Sequence, residues 1–386
     1  MLIFILLGVL LSIVSSRIKL SYTVTLLLFG MFLTFLKLRV GLFPAVSSLT
    51  HILSAQLFFN IILPPIIFKA VLDMDYNRFI DNLWPIIFLA TLGVVISVLL
   101  ISLLMHFILS MPWFYSLLFA TIISPTDPVG VLATLKGIKG AEDTTSLIEG
   151  EALLNDATAI TLFSILLSYS GGFSIERVGL TVFLVFVVSP FIGFALGYLS
   201  TRLLPLMSSA ESKISYLFAL SYLSFSFTQA IGGSGIIAEI IFAFMISVKL
   251  KSEKAQVQNF WAVLDYIANS LLFISMGLVF NPFLLAKYYF EIVVSFLIVF
   301  LSRIAIIRSL RIFRGSYDYG LAFLSGIRGA IPLVLALNLP LFVSSGINYT
   351  DLIFAITVGI ASISLIFQTF LVQLRARRLS EDYYYY

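Results

Sequence analysis

Apolar residues fill this chain in runs separated by short polar connections that carry most of its charges. Most runs have the length of about 20 residues that carries an α-helix across a hydrocarbon layer about 30 Å thick. The alternating pattern of an outer-membrane β-strand is missing. Thirteen segments are read, at about 2–16, 20–36, 52–72, 84–108, 112–135, 147–169, 178–206, 214–231, 235–250, 259–280, 283–307, 319–341 and 351–373. The pattern predicts an all-α polytopic membrane protein. The first two segments, and the eighth and ninth, are short or closely joined, so twelve is the alternative count.

Composition agrees. The 386 residues are 60% hydrophobic and 11% charged, against about 45–50% and about 25% for a soluble domain. No cysteine is present, which excludes disulfides and thiolate metal sites. His51 and His106 are too few for a histidine-rich metal centre, and no cofactor is implied. The formal net charge of +4 is spread over short loops and calls for no nucleic-acid partner. Its distribution instead orients the chain. With the N-terminus outside, the outer loops hold only Lys37, Arg39, Arg177 and Lys287. Arg17, Lys19, Arg78, Lys136, Lys139, Lys251, Arg314 and most other basic residues fall inside, leaving Lys69, Arg303 and Arg328 within segments. Such a bias of inner loops predicts an outer N-terminus and a cytoplasmic C-terminus in the plasma membrane. No Lys or Arg precedes Arg17, so the charged start of a signal peptide is missing. No soluble domain fits between the segments. The tail, 374–386, is basic and ends in Tyr383–Tyr386, for which the sequence offers no function.

Ionisable groups at membrane depth are costly and read first as functional. Asp127, between Pro125 and Pro128, and Asp156, after Asn155, each lie nine residues from the cytoplasmic end of a segment. That places both about 13 Å deep. Arg328, nine residues into the twelfth segment, shares the level. The two prolines remove backbone donors and predict an opened helix at Ser124–Asp127. Ser325–Pro332 is a second interrupted segment, containing Gly326 and Gly329. Paired interruptions in corresponding halves point to a transporter's central site. Ser124-x-x-Asp127 matches Ser325-x-x-Arg328 at one offset, with Val-Leu-Ala following each, and the two segments run in opposite directions, as inverted repeats require. Arg328 also has a structural reading, neutralising a carboxylate such as Glu151. Asp265, Glu239 and Glu291 read as helix-end or cavity-rim groups, and Arg303 as an arginine reaching to the headgroups.

The motifs Leu63-Pro-Pro-Ile-Ile-Phe68, Pro125-Thr-Asp-Pro128, Glu151-Ala-Leu-Leu-Asn-Asp156, Ser234-Gly-Ile-Ile-Ala238 and Gly326-Ile-Arg-Gly-Ala330 occur in that order over most of the chain. Together they resemble the monovalent cation:proton antiporter family, in its NhaP and eukaryotic sodium/proton exchanger branch. The resemblance implies a thirteen-helix NhaA/NhaP-like fold whose two broken helices cross at the midplane. It implies one transmembrane domain over 1–386, with a mobile core bundle at about 84–169 and 283–373, the remainder being a dimerisation bundle, and a homodimer. It also implies a cation and proton site at Asp156, Asp127, Thr126 and Asn155. Glu151 and Arg328 would form a structural ion pair, and Asn155 would mark electroneutral exchange of one cation for one proton. Two positions depart from the family pattern: Lys69 stands where an acidic residue is usual, and Ala152 where serine is common. Na+, Li+ and K+ therefore all stay open as substrates beside H+.

The physical reading runs parallel. A midplane carboxylate neutralised either by a proton or by a monovalent cation, in a bundle that reorients only when neutralised, gives obligatory exchange by rigid-body alternation. Three other readings compete. A channel would pass cations without protons, and a homologue without transport would serve as sensor or scaffold. An intramembrane aspartyl hydrolase would need a Gly-x-Gly-Asp motif, which the chain lacks.

Overall fold

A computed structural model describes residues 2–18, 20–40, 57–135, 138, 140–169, 174–250, 254–313, 315–344 and 346–384. Of the residues singled out above, Lys19, His51, Lys136, Lys139, Lys251, Arg314, Tyr385 and Tyr386 lie outside the described residues. Nearly all of the rest is helical, with helical structure in every predicted range. Among the described residues, six helices are long and apolar enough to cross a membrane: Leu83–Leu109, Glu142–Leu167, Ile175–Leu206, Lys254–Leu278, Tyr289–Ile312 and Tyr349–Leu379. Phe4–Ile18 and Tyr22–Leu36, bent by 117° at their junction, make a seventh if taken as one span. The other predicted ranges hold helices that are shorter, broken or more polar. Length and composition thus single out fewer continuous spans than the thirteen segments. Among the described residues one hairpin is not helical: Val343–Ser344 pairs antiparallel with Ile347–Asn348. Gly346 closes that hairpin at φ 77°, in the left-handed region open to glycine.

The chain folds into two compact units, one of Met1–Ala55, Asn77–Ala159 and Ser270–Tyr386, the other of Gln56–Tyr76 and Ile160–Asn269. In the first unit, small residues let helices approach closely, as membrane packing favours. A side chain at Gly30 would fall 2.8 Å from the Gly277 Cα. Beside that crossing Thr34 Oγ1 reaches the carbonyls of Gly30, Gly277 and Leu278, each at 3.2 Å. In the second unit Gly193 lies against the backbone of Ala238, joining the Ser189–Leu203 and Gly235–Lys249 helices. Trp261, fully buried, stacks on Phe68 at 4.1 Å. The two interrupted helices and both aspartates belong to the first unit.

Candidate ion-binding site

The site begins with missing donors. In an α-helix the residue 125 N–H would bond Thr121 O and the residue 128 N–H would bond Ser124 O, but both residues are proline. The Trp113–Ile123 helix stops there, and Thr121 O takes the Ser124 N–H at 3.4 Å and its Oγ–H at 2.9 Å. The backbone stays open through Pro128 and returns to helix at Val129–Leu135. Asp127 stands at that return, its Oδ1 accepting the Val129 N–H at 2.9 Å. A short acidic side chain is well suited to the free N–H groups of a helix start.

The second interruption spans 325–329, between Tyr319–Leu324 and Ala330–Leu337. Ile327 N–H folds back to Ser325 O at 2.7 Å, and Ile327 O is left to accept the Asp127 N–H at 2.8 Å. That hydrogen bond joins the two breaks directly. Gly329 packs against Asp127 so closely that any Cβ at 329 would overlap the carboxyl group.

Arg328 completes the junction. Its Nη1 donates to Ser124 O at 2.5 Å and to Pro125 O at 3.1 Å, and its N–H donates to Ser364 Oγ at 3.0 Å. Ser124 O is the acceptor that Pro128 orphans, and Pro125 O loses its helical donor because the Val129 N–H turns to Asp127. The guanidinium therefore satisfies carbonyls freed by the opposite break. This corrects the expected Glu151–Arg328 pair. Glu151 is instead held at two points by Arg303: Nη2 lies 2.7 Å from Oε2, and Nη1 bonds Oε1. Arg303 also donates to Ala322 O at 3.2 Å. It is buried rather than extended toward headgroups, because a buried carboxylate on a neighbouring helix offers a two-point partner.

The remaining predicted residues fall as follows. Asp156, on the Glu142–Tyr169 helix, is half-buried like Asp127 and within its electrostatic reach. Asn155 Nδ2 donates to Thr126 Oγ1 at 2.8 Å, tying that helix to the opened backbone. Ala152 is buried. Lys69 pairs with Asp73 one turn along its own helix, and Gln258 also reaches Asp73, at 3.2 Å. Glu291 lies in the first turn of Tyr289–Ser309, a helix end as expected. Glu239 differs from its reading as an end or rim group. Its helix packs against three others, so the side chain is fully enclosed and takes the Ser221 hydroxyl at 2.5 Å.

Sequence reasoning missed Arg303 as the partner of Glu151, Ser364 behind Arg328, and the tight seat of Asp127 on Gly329. The position of Arg303 within an apolar segment was a usable signal. Ser364 carried none, because a serine in an apolar run most often bonds its own helix.

A family model described as "Sodium/hydrogen exchanger, transmembrane" matches residues 2–376. The chain belongs to this family. The Na(+)/H(+) antiporter ApNhaP of Aphanothece halophytica is 27% identical to this exchanger-family chain over 88% of it and 67% of the relative. NhaS2, a Na(+)/H(+) antiporter of Synechocystis, is 29% identical over 74% of this chain and 52% of its own length. The chain thus spans between about half and two-thirds of the length of these curated relatives. The solved sodium proton antiporter MjNhaP1 of Methanocaldococcus jannaschii superimposes with a TM-score of 0.83, at 19% identity, over 98% of this chain and 97% of that one. This exchanger-family protein is an integral membrane protein with the fold of that antiporter.

Proposed function

We propose that this protein exchanges a monovalent cation for a proton across the plasma membrane, with the N-terminus outside and the C-terminus in the cytoplasm. The observation that carries the reading is the junction of two broken helices, hydrogen-bonded from Asp127 N–H to Ile327 O, with two half-buried carboxylates beside it. Opened backbone of this kind is tolerated in a membrane where it lines a cavity or is covered by protein. Asp156 and Asp127 are the groups that a cation or a proton neutralises. Thr126 supplies oxygen ligands from the opened stretch, and Asn155 holds the Thr126 hydroxyl in place. Glu151 with Arg303, and Arg328 with the carbonyls of Ser124 and Pro125, keep the frame rigid around them. Neutralised carboxylates permit reorientation and bare ones oppose it, so transport in one direction is coupled to the other. Relatives named as Na(+)/H(+) antiporters favour Na+ as the cation exchanged for H+. Lys69 has its charge matched within its own helix by Asp73, which removes one ground for a homologue without transport.

The test is collapse of a preset pH gradient in proteoliposomes, read by a pH-sensitive dye as Na+, Li+ and K+ are added in turn. At least one cation collapses the gradient with wild-type protein. Asp156→Asn abolishes the response while the protein stays folded and inserted. Exchange at the wild-type rate in Asp156→Asn would remove that residue from the mechanism. Cation flux with no proton movement would replace the antiporter by a channel.

A further inference from the structure

Arg303 and Arg328 are 5% and 3% exposed, and the Nε–H of each has no acceptor among the described residues. Both residues line one small cavity in the first unit, together with Gly326, Ser364, Gln368 and Phe300. The hydrogen bonds that the two side chains do make come from their terminal nitrogens. Arg303 uses Nη1 and Nη2 on Glu151 and Ala322 O. Arg328 uses Nη1 on Ser124 O and Pro125 O.

The charges do not balance. Glu151 neutralises Arg303, whereas the partners of Arg328 are neutral carbonyls, and among the described residues it has no carboxylate of its own. Arg303 and Glu151 both act on it electrostatically. Two arginines thus line the cavity with no carboxylate among its lining residues, and the single Glu151 carboxylate lies on Arg303. A buried charge without a counter-charge is strongly disfavoured, and a buried donor without an acceptor adds to that cost. A monatomic anion answers both demands, since it accepts hydrogen bonds from any direction and carries one negative charge. The small size of the cavity excludes a phosphate or a lipid headgroup.

We propose that this cavity binds a single halide ion, chloride under physiological conditions, coordinated by the Nε–H groups of Arg303 and Arg328. The ion completes the charge balance behind the second broken helix, apart from the carboxylates assigned to transport. It is a structural counter-ion for the arginine that holds the two breaks together.

Two measurements on the full chain test this. The first is thermal melting of purified protein in sodium chloride, sodium bromide and sodium gluconate at equal ionic strength. Melting midpoints rise with halide concentration and saturate, as for a ligand that binds only the folded state, while gluconate gives no rise. Gly326→Ala keeps both arginines and adds a methyl group 3.3 Å from Arg303 Nε, which narrows the cavity. In that variant the halide-dependent shift disappears. The second is anomalous diffraction from bromide-soaked crystals of the wild type, which decides the matter even if the variant folds poorly. A bromine peak within hydrogen-bond reach of both Nε atoms supports the site. An ordered water there without anomalous signal overturns it, as do bromide peaks confined elsewhere or equal midpoints in all three salts. Neither measurement reads exchange, so failure of the antiport reading and failure of this site are told apart.

Discussion

Arg328 shows how a single side chain can be read correctly as buried yet be given the wrong partner. Its depth follows from position along an apolar run. Its partners follow from which acceptors the fold leaves orphaned, and two prolines on another segment set those. Glu151 then belongs to Arg303, with both side chains nearly solvent-free. Removing one member of a buried pair costs about 3–5 kcal/mol, whereas replacing both by apolar groups of similar size is often close to neutral. Arg303→Met alone is therefore expected to lower the thermal midpoint sharply, and Glu151→Met with Arg303→Met to recover much of the loss. A double variant as unstable as the single one would mean that Arg303 acts mainly elsewhere. Gly329 makes the complementary point. Any Cβ there displaces the Asp127 carboxyl, and misplacing a reacting group by about 1 Å can cost about a hundredfold in rate. Gly329→Ala should insert in the membrane normally yet exchange cations at least about tenfold more slowly. A wild-type rate would show that the position of Asp127 is not limiting.

Among elements, the two interruptions differ in cause. Proline opens 124–128 by deleting donors. The 325–329 stretch opens at glycines and a tight turn, and the next helix begins at Ala330 before Pro332. Each break satisfies the other, through Asp127 N–H to Ile327 O and Arg328 to Ser124 O and Pro125 O. Pro128→Ala restores the amide that a continuous helix would direct at Ser124 O, in competition with Arg328. Slower exchange together with slow hydrogen exchange of the new amide at 128 is the expected outcome. An amide that exchanges freely with unchanged transport would show that the break is imposed by tertiary contacts rather than by Pro128. These interruptions were legible in the sequence because proline and glycine act locally, through missing donors and backbone freedom. Their contact was not legible, since about 200 residues separate them.

On the scale of the whole molecule, the Ile175–Leu206 span stands apart: only 17% of its most apolar window is buried in the protein, the lowest share among the six spans. Phe191 on this helix is 69% exposed. The proposed homodimer, resting on the family resemblance, is expected to use this face. The chain contains no cysteine, so Phe191→Cys introduces a single thiol. A short bis-maleimide should then yield a cross-linked dimer in membranes. Phe283→Cys, at a site 74% exposed in the first unit, should stay monomeric under the same conditions. The reverse result would move the interface to the other unit.

Sequence alone determined that the chain is a mostly helical membrane protein, where two of its helices break, and which carboxylates stand beside a break. Those properties follow from run length, proline chemistry and the cost of charge in lipid, all of which act within a few residues. Tertiary structure alone decided that Glu151 pairs with Arg303, that Arg328 caps carbonyls of the other break, that Glu239 is enclosed, and that two orphan Nε–H groups share a cavity. Those depend on which faces of distant helices meet, and an apolar run has no strong periodic face from which that could be read.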